Sequence, residues 1–433
     1  MARKVPGGEE LATVIQRPST PRALQPSLCW MGLSMAMAAM GCGADTQGET
    51  ASDSDPGPAQ ESAAPRPEGT AAILELDATY PHGFSFLNGV RELPDGTLLA
   101  ADPLAQVLLR IDLDASTTDT VGRVGPGPQE YEQPDRIFPL PGDSSLLVDL
   151  GKTQLTVVNP DGSFGEGISM MIPNDAGFPT ILHPRFVDAE GNLFDQAARS
   201  RDGGPPDSAA ITRFQRGTRV FDTVATVWLP ENSLQRTRRF GFLPRMLEAQ
   251  DDWAVGMDGR VAVIRTEGFS VEWTFPDGRR VVGPTHVFET ESVSREDKEA
   301  LLAEMHSSGI STMSVSSRTG GVMNMSMSRG IPNSGDGPGV DDFEWAETFP
   351  SFRNERTLIS PRGEAWVERW SPVSSNTRLE VFDEEGRWQG SVFLPPRRQL
   401  IGFGHGQDNG DVAYLVRTDE VDLRWLERYR VTR

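Results

Sequence analysis

From residue 71 to the C-terminus the chain repeats one pattern: a short apolar run, a break of Gly, Asp, Asn or Pro, then another short run. Runs of about four to eight residues bounded by turn formers predict β-strands rather than helices. One unit recurs six times, a tight turn ending in Gly and then an apolar strand that often closes on Asp. It reads PDGTLLAAD at Pro94–Asp102, PGDSSLLVD at Pro141–Asp149 (with Gly-Asp at the turn), AEGNLFD at Ala189–Asp195, MDGRVAVIR at Met257–Arg265, PRGEAWVER at Pro361–Arg369 and DNGDVAYLV at Asp408–Val416. A second turn series lies between these units, near Asp161, Arg216, Asp277 and Glu385, with a looser equivalent at Leu113–Ser116. Each repeat therefore reads strand, turn, strand, connection, strand, turn, strand.

Four-stranded units at a period of about 45 residues predict propeller blades. The turn glycines are Gly96, Gly142, Gly191, Gly259, Gly363 and Gly410, at gaps of 46, 49, 68, 104 and 47. The gap of 68 is assigned to polar loops at Arg199–Ser208 and around Arg236–Leu243. The gap of 104 is long enough for another blade, but residues 288–345 carry helix and low-complexity signals instead of a further turn pair. The predicted fold is all-β: a six-bladed β-propeller of four-stranded blades, with one helical insertion between blades 4 and 5. The last repeat runs out after its third strand. AAILELDATY at 71–80 supplies a strand to pair with it, closing the ring and leaving no open edge.

Inside the insertion, Ser294 to Met305 predicts a helix, with Ser294 and Asp297 as a capping-box variant and Gly309 as a stop. Leu301, Leu302 and Met305 give it a narrow apolar stripe for docking. The stretch Ser311–Ser328 is rich in Ser and Met, including Met313, Met323, Met325 and Met327. With His306 it has the residue types of a soft Cu(I) site, but alternate methionines also simply pack one face of a strand. The acidic, Gly-rich NSGDGPGVDDFE at Asn333–Glu344 has the look of a Ca²⁺ loop yet lacks EF-hand ligand spacing. No cofactor and no resident metal is expected.

The N-terminus reads differently. Arg3, Lys4, Arg17 and Arg22 precede an apolar run, LCWMGLSMAMAAMG at Leu28–Gly41, which is short for a membrane span and suited to a signal-peptide core. It ends in Ala39-Met40-Gly41-Cys42. This resembles a bacterial lipobox, although Ala39 stands where Leu is usual, and it implies that Cys42 receives a lipid. Residues 1–42 are thus assigned as a lipoprotein-type signal ending at the modified cysteine. Residues 43–70, acidic and rich in Pro and Ser, cannot bury enough surface to fold and form a linker. Residues 71–433 form the propeller. The expected location is the cell envelope, lipid-anchored and extracytoplasmic.

Composition excludes several classes. The net charge of −21 leaves no cationic face for sequence-independent nucleic-acid binding. Loss of residues 1–41 would remove four basic and two acidic residues and take the charge to −23. Two cysteines cannot build a disulfide scaffold or a Cys-based zinc site. No HExxH, phosphate-loop or GxSxG motif is present. Five histidines lie far apart; of these, His183 and His405 stand where a propeller could bring them to the channel. Arg91, Arg136, Arg185, Arg245 and Arg353 each fall near the expected start of an innermost strand. They could line an anion pocket, since guanidinium matches carboxylate or phosphate in two-point contacts. They could equally brace the blades against Asp102, Asp149 and Asp195.

The segment Gly122–Phe164, with its Gly-rich lead-in, aromatic, strand-opening Pro, Asp-ended strand and DG turn, resembles an NHL-type repeat. The whole of 71–433 is similar to bacterial six-bladed β-propeller lipoproteins of the NHL/TolB-like kind, a resemblance that implies the fold and leaves function open. The reading favoured from sequence is a non-catalytic binding or scaffold module for a protein or small anionic ligand, monomeric, touching the membrane only through its anchor. The alternatives are a hydrolase or lyase with its site at the channel mouth, and a structural envelope component.

Overall fold

The structure, a computed structural model, describes residues 69–433 apart from 174–178, 198–206, 231–232, 308–309, 319–321, 331–336, 374 and 406–409. Cys42 and the assigned signal and linker therefore lie outside the described residues.

Six antiparallel four-stranded sheets follow one another along the chain. Their first strands are Val90–Glu92, Pro134–Pro139, Phe186–Val187, Asp252–Val255, Leu358–Ile359 and Arg398–Gly404. First strands of neighbouring blades touch from blade 1 through blade 5 and from blade 6 back to blade 1, which makes them the innermost strands of a ring. Blade 6 takes its outermost strand from the other end of the sequence. Ile73–Thr79 pairs antiparallel with Arg424–Thr432, from Ile73 opposite Thr432 to Thr79 opposite Glu427, with a bulge after Leu76. The Arg428 guanidinium locks this seam by donating to Asp77 (2.6 Å) and to Asp114 of blade 1.

The turn glycines act through their backbone. In blade 1, Leu93 N–H bonds to Thr97 O (2.7 Å) and Gly96 N–H to Leu93 O (2.9 Å), and Gly96 has φ of 82°. This is the three-residue hairpin in which a type I turn is followed by a left-handed residue, a position glycine fills without strain. Gly283 and Gly386 serve differently: a Cβ on Gly283 would lie 2.7 Å from the Gly386 backbone, so blades 4 and 5 approach there closer than side chains allow.

The apolar residues form six interfaces between blades instead of one central core. Alternate positions of a strand go to opposite neighbours. Leu98 and Ala100 pack with Val412, Tyr414 and Val416 of blade 6, while Leu99 and Ala101 pack with Ile137 and Leu147 of blade 2. Ala365 and Val367 likewise face blade 4, and Trp366 faces blade 6. Burial on both faces explains why the second strands read as unbroken apolar runs.

The expected insertion is present. It holds helix α1 (Arg295–Ser307), the hairpin Ile310–Arg318 with Val322–Gly330, and a short 3₁₀ turn at Val340–Asp342. The capping box forms in full: Asp297 accepts from Ser294 N–H (2.9 Å), and Ser294 Oγ accepts from Asp297 N–H (3.2 Å). Leu302 packs with Met246 and Phe343, with Leu301, Met305 and Trp345 around them. One sequence expectation is corrected. The stretch around Arg236–Leu243 is a β-hairpin, Leu234–Thr237 with Gly241–Pro244, because Gly241 (φ 72°) closes a tight turn. The second polar loop, at Arg199–Ser208, lies largely outside the described residues.

Candidate functional site at the channel mouth

The innermost strands all run away from the same end of the ring, and their entrances form its mouth. Three entrances are shaped by the aspartates that close the second strands. Asp102 accepts from Ser85 N–H (2.6 Å), Asp149 from Glu132 and Gln133 N–H (3.0 and 2.8 Å), and Asp195 from His183 N–H (2.8 Å). These carboxylates satisfy backbone donors that a tight entrance would otherwise leave unpaired.

Every blade places a polar or aromatic group at this mouth. Blade 1 gives Phe86, with the guanidinium carbons of Arg329 and Arg424 each 4.3 Å from its ring centre. Blade 2 gives fully buried Asp135, whose Oδ1 accepts from Arg329 Nε at 2.8 Å. Burial pushes the Asp135 carboxyl upward, but His183, Arg329 and Arg136 outweigh it and hold the group well below the ordinary range. Blade 3 gives His183 and Arg185, and Arg185 donates to buried Asp252 of blade 4 (2.8 Å). Blade 5 gives Arg353 and Arg356. Blade 6 gives Arg424, which also donates to Leu87 O (3.2 Å).

The insertion reaches across this mouth. Arg329, at the end of its hairpin, bonds Asp135 and exchanges two backbone bonds with the Gln133 amide (2.8 and 2.9 Å). At the other side Glu304, in the last turn of α1, accepts from Arg353 (2.5 Å) and Arg356 (3.2 Å). Burial acts to raise Glu304, yet the two arginines pull it down to about 2. Arg356 is lowered by burial and by neighbouring Arg353. Arg424 is lowered to about 10 by burial and by the proximity of Arg356 and Arg329. Burial likewise raises Glu368 behind them. Arg356 and Arg424 are therefore held in a poorly solvated place beside like charge, a setting that favours added negative charge.

The five arginines singled out from sequence separate. Arg136, Arg185 and Arg353 come to the mouth. Arg91 does not: blade 1's innermost strand has only three residues, so Arg91 already points to the far end, where it donates to Ser145 Oγ (2.9 Å) and Ser144 O (3.3 Å) of blade 2. Arg245 precedes the innermost strand of blade 4, which starts at Asp252, and pairs with Glu344 of the insertion (3.0 Å). The histidines separate too. His183 is at the mouth, whereas His405 follows the far end of its strand, its N–H on Glu92 (2.9 Å). The side chains of Met313, Met323, Met325 and Met327 lie outside the described residues. Of the acidic loop, Asp342 accepts from Gly339 N–H (2.8 Å) and Asp341 pairs with Arg295 (3.2 Å). Among the described residues no three His, Cys, Asp or Glu side chains converge as a metal site.

Sequence reasoning missed Arg329, Arg356, Arg424 and Glu304. Arg356 alone carried a local signal, three residues after Arg353 at the same entrance. The others come from a hairpin, an outer strand and a helix face that reads as solvent-exposed.

Fold and site together define a six-bladed β-propeller whose axial mouth is arginine-rich and spanned by an insertion. No protein-family model matches the chain. No curated protein matches it. Among solved structures it is similar to a luciferin-regenerating enzyme (12% identity over 84% of this chain and 95% of that one, TM-score 0.40). It is similar also to a gluconolactonase from Xanthomonas campestris (10%, 85% and 99%, TM-score 0.39) and a streptogramin B lyase (11%, 83% and 97%, TM-score 0.35). At these values the likenesses carry no chemistry to this chain, and the fold rests on its own blades.

Proposed function

We propose that the protein is a binding module that takes a small anionic ligand at the channel mouth, held at the extracytoplasmic face of a membrane by a lipid on Cys42. The observation that carries the ligand reading is the convergence of Arg353, Arg356 and Arg424, from two blades, on one mouth, where burial and neighbouring arginines already disfavour the charge of Arg356 and Arg424. An anion there relieves that repulsion and gains charge-assisted hydrogen bonds. Arg353 is held ready: its guanidinium lies 4.4 Å from the Trp370 ring centre and 3.6 Å from Glu368. The anchoring reading is supported by the apolar run ending in Ala39-Met40-Gly41-Cys42. Isothermal titration of the full chain with succinate and with inorganic phosphate tests the ligand reading. Binding of either, weakened at least tenfold by Arg356→Ala, is expected; no heat from either anion at millimolar concentration refutes it.

A second reading, a hydrolase or lyase, draws on one observation. His183 Nε2 lies 3.9 Å from Asp135 Oδ2, and neither atom has a hydrogen-bond partner. Closed to hydrogen-bond distance, Asp135 would hold His183 through Nε2–H and leave Nδ1 to take a substrate proton as general base. Turnover that survives His183→Gln would remove this reading.

A further inference from the structure

We propose that the mouth is specifically a carboxylate site and that Glu304 is its resident occupant, displaced when a carboxylate ligand arrives. This rests on the anion-binding reading above and narrows it to a ligand class and a mode of control.

The geometry around Glu304 is that of a bound carboxylate. Its Oε2 accepts from Arg353 Nη2 at 2.5 Å and its Oε1 from Arg356 Nη2 at 3.2 Å, so each oxygen of one planar group meets a separate guanidinium. Arg353 does not depend on Glu304 for its position. Its backbone N–H bonds to Glu368 O (2.8 Å), and its guanidinium lies 4.4 Å from the Trp370 ring centre and 3.6 Å from the Glu368 carboxylate. The donor is therefore preorganised, and it stays aimed at the mouth when the front carboxylate leaves.

Glu304 is placed to leave. It belongs to the insertion and not to a blade, and its side chain keeps 38% of its surface in contact with solvent. The helix that carries it is secured elsewhere: Asp297 accepts from Val373 N–H (2.8 Å), and Leu302 packs with Met246 and Phe343. Rotation of one half-buried glutamate therefore empties the site without undocking the helix. One carboxylate replaces another on the same two arginines, so the exchange is near balance, and the internal group acts as a competitor that weakens apparent affinity. A phosphate can meet arginines through two oxygens as well, but it brings further oxygens and more negative charge than the glutamate it would replace, against the Glu368 carboxylate that stands 3.6 Å from Arg353.

The test compares succinate and inorganic phosphate by isothermal titration of the full chain, as wild type, Glu304→Gln and Glu304→Ala, each checked for fold by circular dichroism. Removing the competitor is expected to tighten succinate binding about tenfold or more in both variants, with a smaller gain for phosphate. The two variants differ in size and polarity, so a shared gain reports the lost charge, and one folded variant suffices for the test. If wild type binds succinate and neither variant binds it more tightly, Glu304 is not a competitor; the proposal falls while the anion reading stands. An equal gain for phosphate overturns the carboxylate assignment. If no form binds either anion, both readings fall together.

Discussion

Asp252 joins three blades, and its loss has a cost that can be worked from the structure. It is 1% exposed and opens the innermost strand of blade 4. One oxygen accepts from Arg185 of blade 3 (2.8 Å) and from Glu355 N–H (3.1 Å). The other accepts from Thr357 N–H (3.2 Å) and Thr357 Oγ1 (2.6 Å) of blade 5. Asp252→Ala strands a guanidinium that is only 15% exposed and leaves two donors of a 1% exposed threonine without their acceptor. Breaking a buried ion pair by deleting one partner costs about 3–5 kcal/mol. Arg185 is packed near the rings of Phe186 and Trp253 (5.2 and 5.0 Å) and cannot swing to water without losing those contacts, which argues for the full penalty. At roughly 2 °C per kcal/mol for a large domain, the melting temperature should fall by about 6–10 °C. The assay is thermal and urea unfolding of the full chain, followed by tryptophan fluorescence and circular dichroism. Arg185→Met combined with Asp252→Ala should recover part of the loss, because the stranded cation is gone while Thr357 remains unsatisfied. A loss below about 1 kcal/mol for Asp252→Ala, within the range of an exposed pair, would refute the reasoning.

Two further outcomes are expected. Glu304 is held at about 2 in the fold against an ordinary 4.5, so its stabilising contact is complete above pH 4.5 and is lost as pH falls toward 2. The stability difference between wild type and Glu304→Gln should therefore shrink from pH 5 to pH 3; a constant difference over that range would show that the Arg353 and Arg356 contacts do not hold the carboxylate ionised. Mass spectrometry of the protein from bacterial membranes should find Cys42 at the N-terminus carrying acyl chains, and Cys42→Ala should release the protein from membranes; an unmodified Cys42 would remove the anchor.

Much of the architecture was legible because its determinants are local. A turn glycine such as Gly96 marks a hairpin wherever it falls; five of the six turn glycines are left-handed, and the six units marked six blades. A last repeat one strand short, with a spare strand at 71–80, announced the closure seen between Ile73–Thr79 and Arg424–Thr432. Ser294 and Asp297 marked the helix start because both halves of a capping box lie within one turn. The mouth was decided only by the ring. Glu304, Arg329, Arg353 and Arg424 are far apart along the chain and converge because blade order and an insertion bring a helix, a hairpin and two blades to one end. Arg91 and His405 show the same limit from the other side: strand length and direction decide which end of the channel a residue reaches. Neither quantity is written in its neighbours, since a shift of two residues leaves the inward and outward alternation unchanged while moving a side chain about 7 Å along the axis.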